Sequence, residues 1–246
     1  MPLKQCIQRI TRRDMKSAQS LTDVGIYVWF DESDITKATA MILGPENTPY
    51  ANGFLYFRIT FPSNYPFVPP QVVYISTSRH RIHPNLYVGR SHNNFEGKVC
   101  LSILNTWSGP KWTQTMDIST ILLSIQSLLD KYPLRNEPGW EKSKPSCLDA
   151  YNLLVAYDTY QQLIIRNAEP FDETFQSFIP VIETHLKQNK EVIMENWSRL
   201  SKLFPEPQMY PDPSKPNFIK NPYGDRIFIN CSDIQSQLEA MFLNLK

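Results

Sequence analysis

Phe54-Leu55-Tyr56-Phe57-Arg58-Ile59-Thr60-Phe61 is followed by Pro62-Ser63-Asn64-Tyr65-Pro66-Phe67-Val68-Pro69-Pro70, and that by Gln71-Val72-Val73-Tyr74-Ile75. The first and last segments are rich in β-branched and aromatic side chains and read as strands. The first reads as an alternating strand. Between them, four prolines stand in nine positions. Proline fixes φ and removes a backbone donor, so neither a helix nor a central strand can run there. The middle segment is therefore a rigid extended arm joining two neighbouring strands.

Upstream, Gly25–Phe30 and Lys37–Leu43 are rich in Val, Ile, Tyr, Trp and Thr and read as two more strands. Asp31-Glu32-Ser33-Asp34 turns between them, and Gly44–Gly53 is a second connection dense in turn formers. Such short connections predict a four-stranded antiparallel meander. Residues 3–20 read as an amphipathic helix. Leu3, Ile7, Ile10, Met15 and Ala18 form its apolar stripe, and Lys4, Arg9, Arg12, Arg13 and Lys16 its basic side. A run of charge is ordinarily a solvated face; the functional alternative is a docking surface for an acidic partner.

Downstream, residues 76–115 show no regular periodicity. A loop of that length inside a compact domain is functional or disordered. Ile103, Leu104, Trp107 and Trp112 argue that it packs down. It holds Lys98-Val99-Cys100-Leu101-Ser102-Ile103-Leu104, a thiol between apolar residues. From Met116 to Tyr132 the pattern is helical, with Ile118, Ile121, Leu122, Ile125, Leu128 and Leu129 on one face. Asp117 or Ser119 can cap it, and Pro133 and Pro138 stop it. The sheet is expected to pack on this helix. Residues 145–167 and 170–203 read as further helices, 204–216 as a proline-rich strap, 217–229 as a hairpin around Pro222-Tyr223-Gly224, and 233–245 as a last helix. The fold class is α+β.

The chain has 246 residues, formal net charge +1 and 41% hydrophobic residues. That is enough for one large domain or a domain with an extension. Near-neutral charge gives no global field toward nucleic acid or membrane. Cys6, Cys100, Cys147 and Cys231 are dispersed with no Cys-x-x-Cys pair, so no metal site is expected. The polar, basic start has no signal-peptide core, and no apolar run could span a bilayer. Free thiols in the reducing cytosol or nucleus follow as the expectation. The sequons Asn196-Trp197-Ser198 and Asn230-Cys231-Ser232 then count as chance.

Four motifs in order carry a resemblance. They are Gly44-Pro45-x-x-Thr48-Pro49-Tyr50-x-x-Gly53, Phe61-Pro62-x-x-Tyr65-Pro66-x-x-Pro69-Pro70, His83-Pro84-Asn85, and Gly97-x-x-Cys100-Leu101-x-Ile103-Leu104. Together they resemble the ubiquitin-conjugating (UBC) enzyme family across residues 3–165. The text from Cys100 to Trp112, with Asn136-Glu137-Pro138-Gly139 and Pro222-Tyr223-Gly224, is similar to that family's Z type, which bears a C-terminal extension. The resemblance implies a UBC core at 1–168 and an extension at 169–246. The extension's apolar and aromatic content is too high for a disordered tail. It is expected to pack on the core and is a candidate for choosing the activating enzyme or modifier.

The resemblance also implies an activity and a site. A cysteine thiol takes ubiquitin, or a ubiquitin-like modifier, as a thioester from an activating enzyme and passes it to a substrate lysine. ATP is spent by the activating enzyme, and this chain needs no cofactor. Cys100 matches the acceptor thiol. Asn85 matches the asparagine that orders the active-site loop and serves the oxyanion, with His83 and Pro84 bracing that loop. Because residues 87–95 carry an insertion, His92, Asn93 and Asn94 compete for the asparagine's place. Glu137 matches an acidic residue at the mouth of the site, and Ser102 is a weaker candidate. Phe67 matches a contact for RING-type ligases, while Trp112-Thr113-Gln114-Thr115 departs from the usual second ligase loop. Arg9, Arg12 and Arg13 match the activating-enzyme docking face. Expected partners are the modifier, the activating enzyme, a RING-type ligase and protein substrates, with no nucleic acid or membrane. Two rival readings stand beside this one: a non-catalytic UBC-like adaptor, and a Cys-His hydrolase using His83 or His92.

Overall fold

Successive side chains on a strand point to opposite faces, so a strand that is apolar at both parities must be covered twice. Lys37–Leu43 and Phe54–Thr60 are such strands, and both faces are covered here. The computed structural model describes residues 2–78, 80–89, 95–204, 218–220, 222–224 and 226–245. His92, Asn93, Asn94 and all but the first residue of the proline strap lie outside them.

The sheet has five strands in sequential antiparallel order: β1 (Ile26–Phe30), β2 (Lys37–Leu43), β3 (Phe54–Thr60), β4 (Gln71–Ile75) and β5 (Glu96–Lys98). The four-stranded meander is correct as far as it goes. The fifth strand was not legible, because Glu96-Gly97-Lys98 has no strand composition and is held by pairing Val73 with Lys98 and Ile75 with Glu96. Nor does β3 alternate between apolar and polar, since both of its faces are buried.

On the inner face, Ala38, Ala40, Ile42, Leu55, Phe57, Ile59, Val72 and Tyr74 meet Ile118, Ile121, Leu122 and Ile125 of α3 (Ile118–Leu128). Asp117 caps α3 in a reciprocal box with Thr120. The first amide of that helix also donates to the buried Asp14 carboxylate at 2.9 Å, which accepts the Tyr65 hydroxyl at 2.6 Å. The arm and the N-terminal helix are thus tied to the start of α3.

The N-terminal helix runs as α1 (Pro2–Arg9), a wider turn (Ile10–Asp14) and α2 (Met15–Gln19). Its buried stripe is Cys6, Ile10, Asp14 and Ala18, at steps of four; Leu3 and Ile7 are exposed. Its basic side is only partly free. Arg9 donates to the Met116 carbonyl at 2.6 Å and Arg13 to Asp117 at 3.1 Å, whereas Arg12 is exposed.

On the outer face, Met41, Phe54, Tyr56 and Ile75 are covered by a short 3-10 turn (Glu173–Phe178), α5 (Ile179–Ser201) and α6 (Cys231–Asn244). α4 (Pro145–Asp158) and its wider continuation (Thr159–Arg166) share that layer through Tyr157, Tyr160 and Ile164. A small hairpin, β6 (Phe218–Lys220) with β7 (Arg226–Phe228), sets Ile227 into the same cluster. Tyr56 donates to the Asn167 carbonyl and Asn167 to that of Phe54, each at 2.7 Å. Arg58 pairs with both Glu96 of β5 and Asp172 beyond α4.

Trp197 lies at the centre of this outer layer, 1% exposed and against the rings of Tyr157 and Tyr160. Trp197→Ala is expected to lower unfolding free energy by about 3–5 kcal/mol, the range for deleting a large buried aromatic. Denaturant unfolding should remain one transition. A second, unshifted transition belonging to the sheet would show that the C-terminal helices fold apart from it.

Candidate functional site

The segment after β4 returns toward the sheet edge and pairs with the segment after β5. Leu86 bridges Val99, and Tyr87 donates to the Lys98 carbonyl at 3.0 Å. This register sets Asn85 opposite Cys100, fifteen residues on. The Cys100 amide donates to the Asn85 carbonyl, and Asn85 Nδ2 donates to the Cys100 carbonyl, each at 2.8 Å. Asn85 thus holds both the amide and the carbonyl of the cysteine. Gly97 makes the approach possible, because a Cβ there would overlap the Tyr87 carbonyl.

His83 is buried and holds the shelf. Its Nδ1 accepts the Asn85 amide and its Nε2 donates to the Leu128 carbonyl, both at 2.9 Å. Burial lowers its pKa to about 3, so the ring is neutral with both nitrogens occupied. It has no lone pair left for a base, and the Cys-His hydrolase reading fails at His83. Pro84 is buried, and its carbonyl accepts from Arg81.

Beyond Cys100, the Thr106 hydroxyl donates to the Val99 carbonyl at 2.6 Å and accepts the Leu101 amide at 2.9 Å. Ser102 opens a one-turn helix (Ser102–Leu104), half-buried beside the cysteine. Asn105 ends that turn in the left-handed conformation, φ 59°.

Cys100 is 2% exposed. Burial pushes its thiol above the ordinary value; Lys98 and Arg81 pull it down and Glu137 pushes it up again. Burial wins over the two cations, so the resting sulfur is a thiol and not an ion pair. The Coulombic influence of Glu137 places that carboxylate in the same field. It lies on the loop after a turn (Pro133–Asn136), 3.9 Å from Arg81 Nη2, and it accepts the Tyr223 hydroxyl at 2.8 Å.

The fold therefore gathers Cys100, Asn85, His83, Pro84, Ser102 and Glu137. Phe67 stands apart on the proline arm, 59% exposed. Trp112, in contrast, is buried, donating to the Pro66 carbonyl at 2.7 Å. Arg9, Arg12 and Arg13 lie on the N-terminal helix, two of them bracing the approach to α3. Sequence reasoning missed Arg81, Tyr87 and Thr106 as part of the site. Their roles depend on partners distant in the fold, and only the position of Arg81 just before His83-Pro84-Asn85 hinted at it.

A family model described as ubiquitin-conjugating enzyme matches residues 10–150. The ubiquitin-conjugating enzyme E2 Z of Danio rerio is 42% identical over 159 residues, covering 63% of this chain and 46% of that protein. That of Homo sapiens is 41% identical over 158 residues, covering 63% and 42%. The probable ubiquitin-conjugating enzyme protein 17 of Caenorhabditis elegans is 34% identical over 212 residues, covering 79% and 28%. The matched part of this chain thus spans less than half the length of these curated relatives. The solved E2 domain of a Toxoplasma gondii ubiquitin conjugating enzyme aligns at TM-score 0.47 and 25% identity, over 63% of this chain and 99% of that one.

Because burial outweighs the nearby cations, alkylation of Cys100 by iodoacetamide, followed by peptide mass mapping, should have its pH midpoint above that of a cysteine in a short peptide. A midpoint on the acidic side of that reference would show an activated, ion-paired thiolate.

Proposed function

The chain belongs to the ubiquitin-conjugating enzyme family, and from that premise we propose that Cys100 carries the acyl relay. Its thiol accepts the C-terminal acyl group of ubiquitin, or of a ubiquitin-like modifier, from the thioester of an activating enzyme. A lysine amine then attacks the thioester carbonyl carbon. The C–S bond breaks, sulfur leaves as thiolate, and the amine's proton passes to solvent. Activation by ATP belongs to the activating enzyme, and this chain uses no cofactor or metal of its own.

The observation that carries the reading is the reciprocal hydrogen bonding of Asn85 and Cys100 across the inserted loop. A relay thiol must present sulfur to two large protein partners in turn, and fixing the backbone amide and carbonyl of its residue supports that. The same amide is a donor suited to the oxyanion. Glu137 orients the incoming amine and eases its deprotonation. His83, Pro84 and Ser102 hold the loop. An adaptor without chemistry needs no such grip on a cysteine. The raised thiol pKa is compatible with a relay, since a thiol of higher pKa gives a smaller thiolate fraction but a more nucleophilic thiolate.

Partners follow from exposed features. Arg12, with the exposed parts of Arg9 and Arg13, is the candidate face for the activating enzyme, and Phe67 that for a RING-type ligase. Residues 1–168 serve as the conjugating core and 169–246 as an extension folded onto it, placed to influence the choice of activating enzyme or modifier. The working compartment is the cytosol or nucleus, with protein substrates and neither nucleic acid nor membrane as partner.

The test is incubation with activating enzyme, ATP and ubiquitin, resolved on a non-reducing gel. A reducible adduct should form, and Cys100→Ser should convert it to a reductant-stable oxyester or abolish it. Charging that survives in Cys100→Ala would remove the assignment. Asn85→Ala should slow discharge to lysine by roughly 10- to 1000-fold, the scale of losing one oxyanion donor, with much less effect on charging. Equal slowing of both steps would assign Asn85 to loop structure alone.

A further inference from the structure

The turn of the C-terminal hairpin reaches into the site. Tyr223 lies between β6 and β7 and donates its hydroxyl to Glu137 Oε2 at 2.8 Å. Its ring centroid is 4.5 Å from the Arg81 guanidinium carbon, and it meets the Tyr151 ring edge-on at 6.2 Å. Arg81 also contacts the Tyr87 ring at 3.8 Å and donates to the Pro84 carbonyl beside Asn85. Its own carbonyl accepts the Tyr151 hydroxyl at 3.0 Å. While Ile227 and Ile229 of the hairpin are buried in the outer layer, Tyr223 packs on the inner cluster. One short hairpin therefore links the extension to both the loop of Glu137 and the shelf of Asn85.

Glu137 stands on a loop, where a carboxylate held by nothing would sample several rotamers. A neutral hydroxyl donor selects one of them through a charge-assisted hydrogen bond. Burial, and the bond to Glu137 itself, push the Tyr223 pKa up, so it remains a donor at working pH. The Arg81 guanidinium lies 3.9 Å from the same carboxylate oxygen and so narrows its placement further.

We propose that Tyr223 is a positioning residue for lysine discharge: its hydroxyl orients the Glu137 carboxylate at the mouth of the site, and its ring holds Arg81 against the shelf that carries Asn85. The inference rests on the thioester-relay reading and gives the extension a place in it. The hydroxyl and the ring have separable duties. The hydroxyl acts on discharge through Glu137; the ring serves the order of the site as a whole.

The experiment uses the full chain with Tyr223→Phe, Tyr223→Ala, Glu137→Ala and the double variant Tyr223→Phe/Glu137→Ala. Each is charged with ubiquitin by activating enzyme and ATP, then chased with free L-lysine, with charging rate and thermal melting measured alongside. Tyr223→Phe keeps the ring, so it should charge and melt like the parent. Its discharge should be roughly 5- to 10-fold slower, the scale of one charge-assisted hydrogen bond. The double variant should discharge no more slowly than Glu137→Ala alone. Tyr223→Ala should also lose melting temperature and charging, which Tyr223→Phe retains. Parent-like discharge by Tyr223→Phe beside a slow Glu137→Ala overturns this inference and leaves the relay standing. Additive losses in the double variant overturn it as well, since Tyr223 would then act apart from Glu137. Parent-like discharge by Glu137→Ala overturns both the inference and the role of that carboxylate, and absence of any Cys100 adduct overturns the relay itself.

Discussion

The site depends on a backbone register. Residues 83–87 and 98–100 pair at the edge of the sheet, and from that pairing follow the grip of Asn85 on Cys100, the neutral state of His83 and the close approach at Gly97. Chain between the two segments can be lengthened at modest entropic cost, because loop closure grows only slowly with length. The pairing holds across the intervening chain.

The second constraint is burial of both sheet faces. A sheet of this kind is commonly covered on one side and wet on the other. Here Met41, Phe54, Tyr56 and Ile75 point away from α3 and are covered by helices that follow residue 170. Those helices also contact the end of α4 and its continuation, so among the described residues the outer layer shares one apolar cluster with them. Its hairpin then returns to the site at Tyr223. The packing thus couples a segment remote in sequence to the loop of Glu137 through a hydrogen bond, and to Arg81 and Tyr151 through ring contacts.

Electrostatics in the site are restrained. A buried thiol costs more to ionise than Lys98 and Arg81 recover, and Glu137 adds to the cost. Such a sulfur is mostly protonated at neutral pH and reacts more slowly than an exposed thiolate. His83 contributes structure through two backbone hydrogen bonds and no proton transfer. Beside the thiol stand positioned backbone, one amide side chain and one loop carboxylate.

Much of this was written locally. The proline arm between two strands, the α3 periodicity with its Asp117 cap, and the ordered run of motifs ending at Cys100 determined the α+β class, the family and the thiol at its centre. The elements are legible because they rest on φ restriction and side-chain period, which a chain carries before it folds, and the family and the thiol through the resemblance its motifs bear. Four other features are tertiary: the fifth strand, the burial of Cys6 in place of Leu3 and Ile7, the occupation of Arg9 and Arg13 by the loop before α3, and the meeting of Tyr223 with Glu137 and Arg81. Each depends on a partner far away in sequence, supplied only when hydrophobic burial has set the layers in place. A three-residue strand has no pattern of its own, and a tyrosine in a turn gives no sign of the carboxylate it will meet. Local rules chose the elements and singled out Cys100; long-range packing chose their neighbours, because a contact between distant residues repays its loop-closure entropy only together with the burial of the layers that carry it.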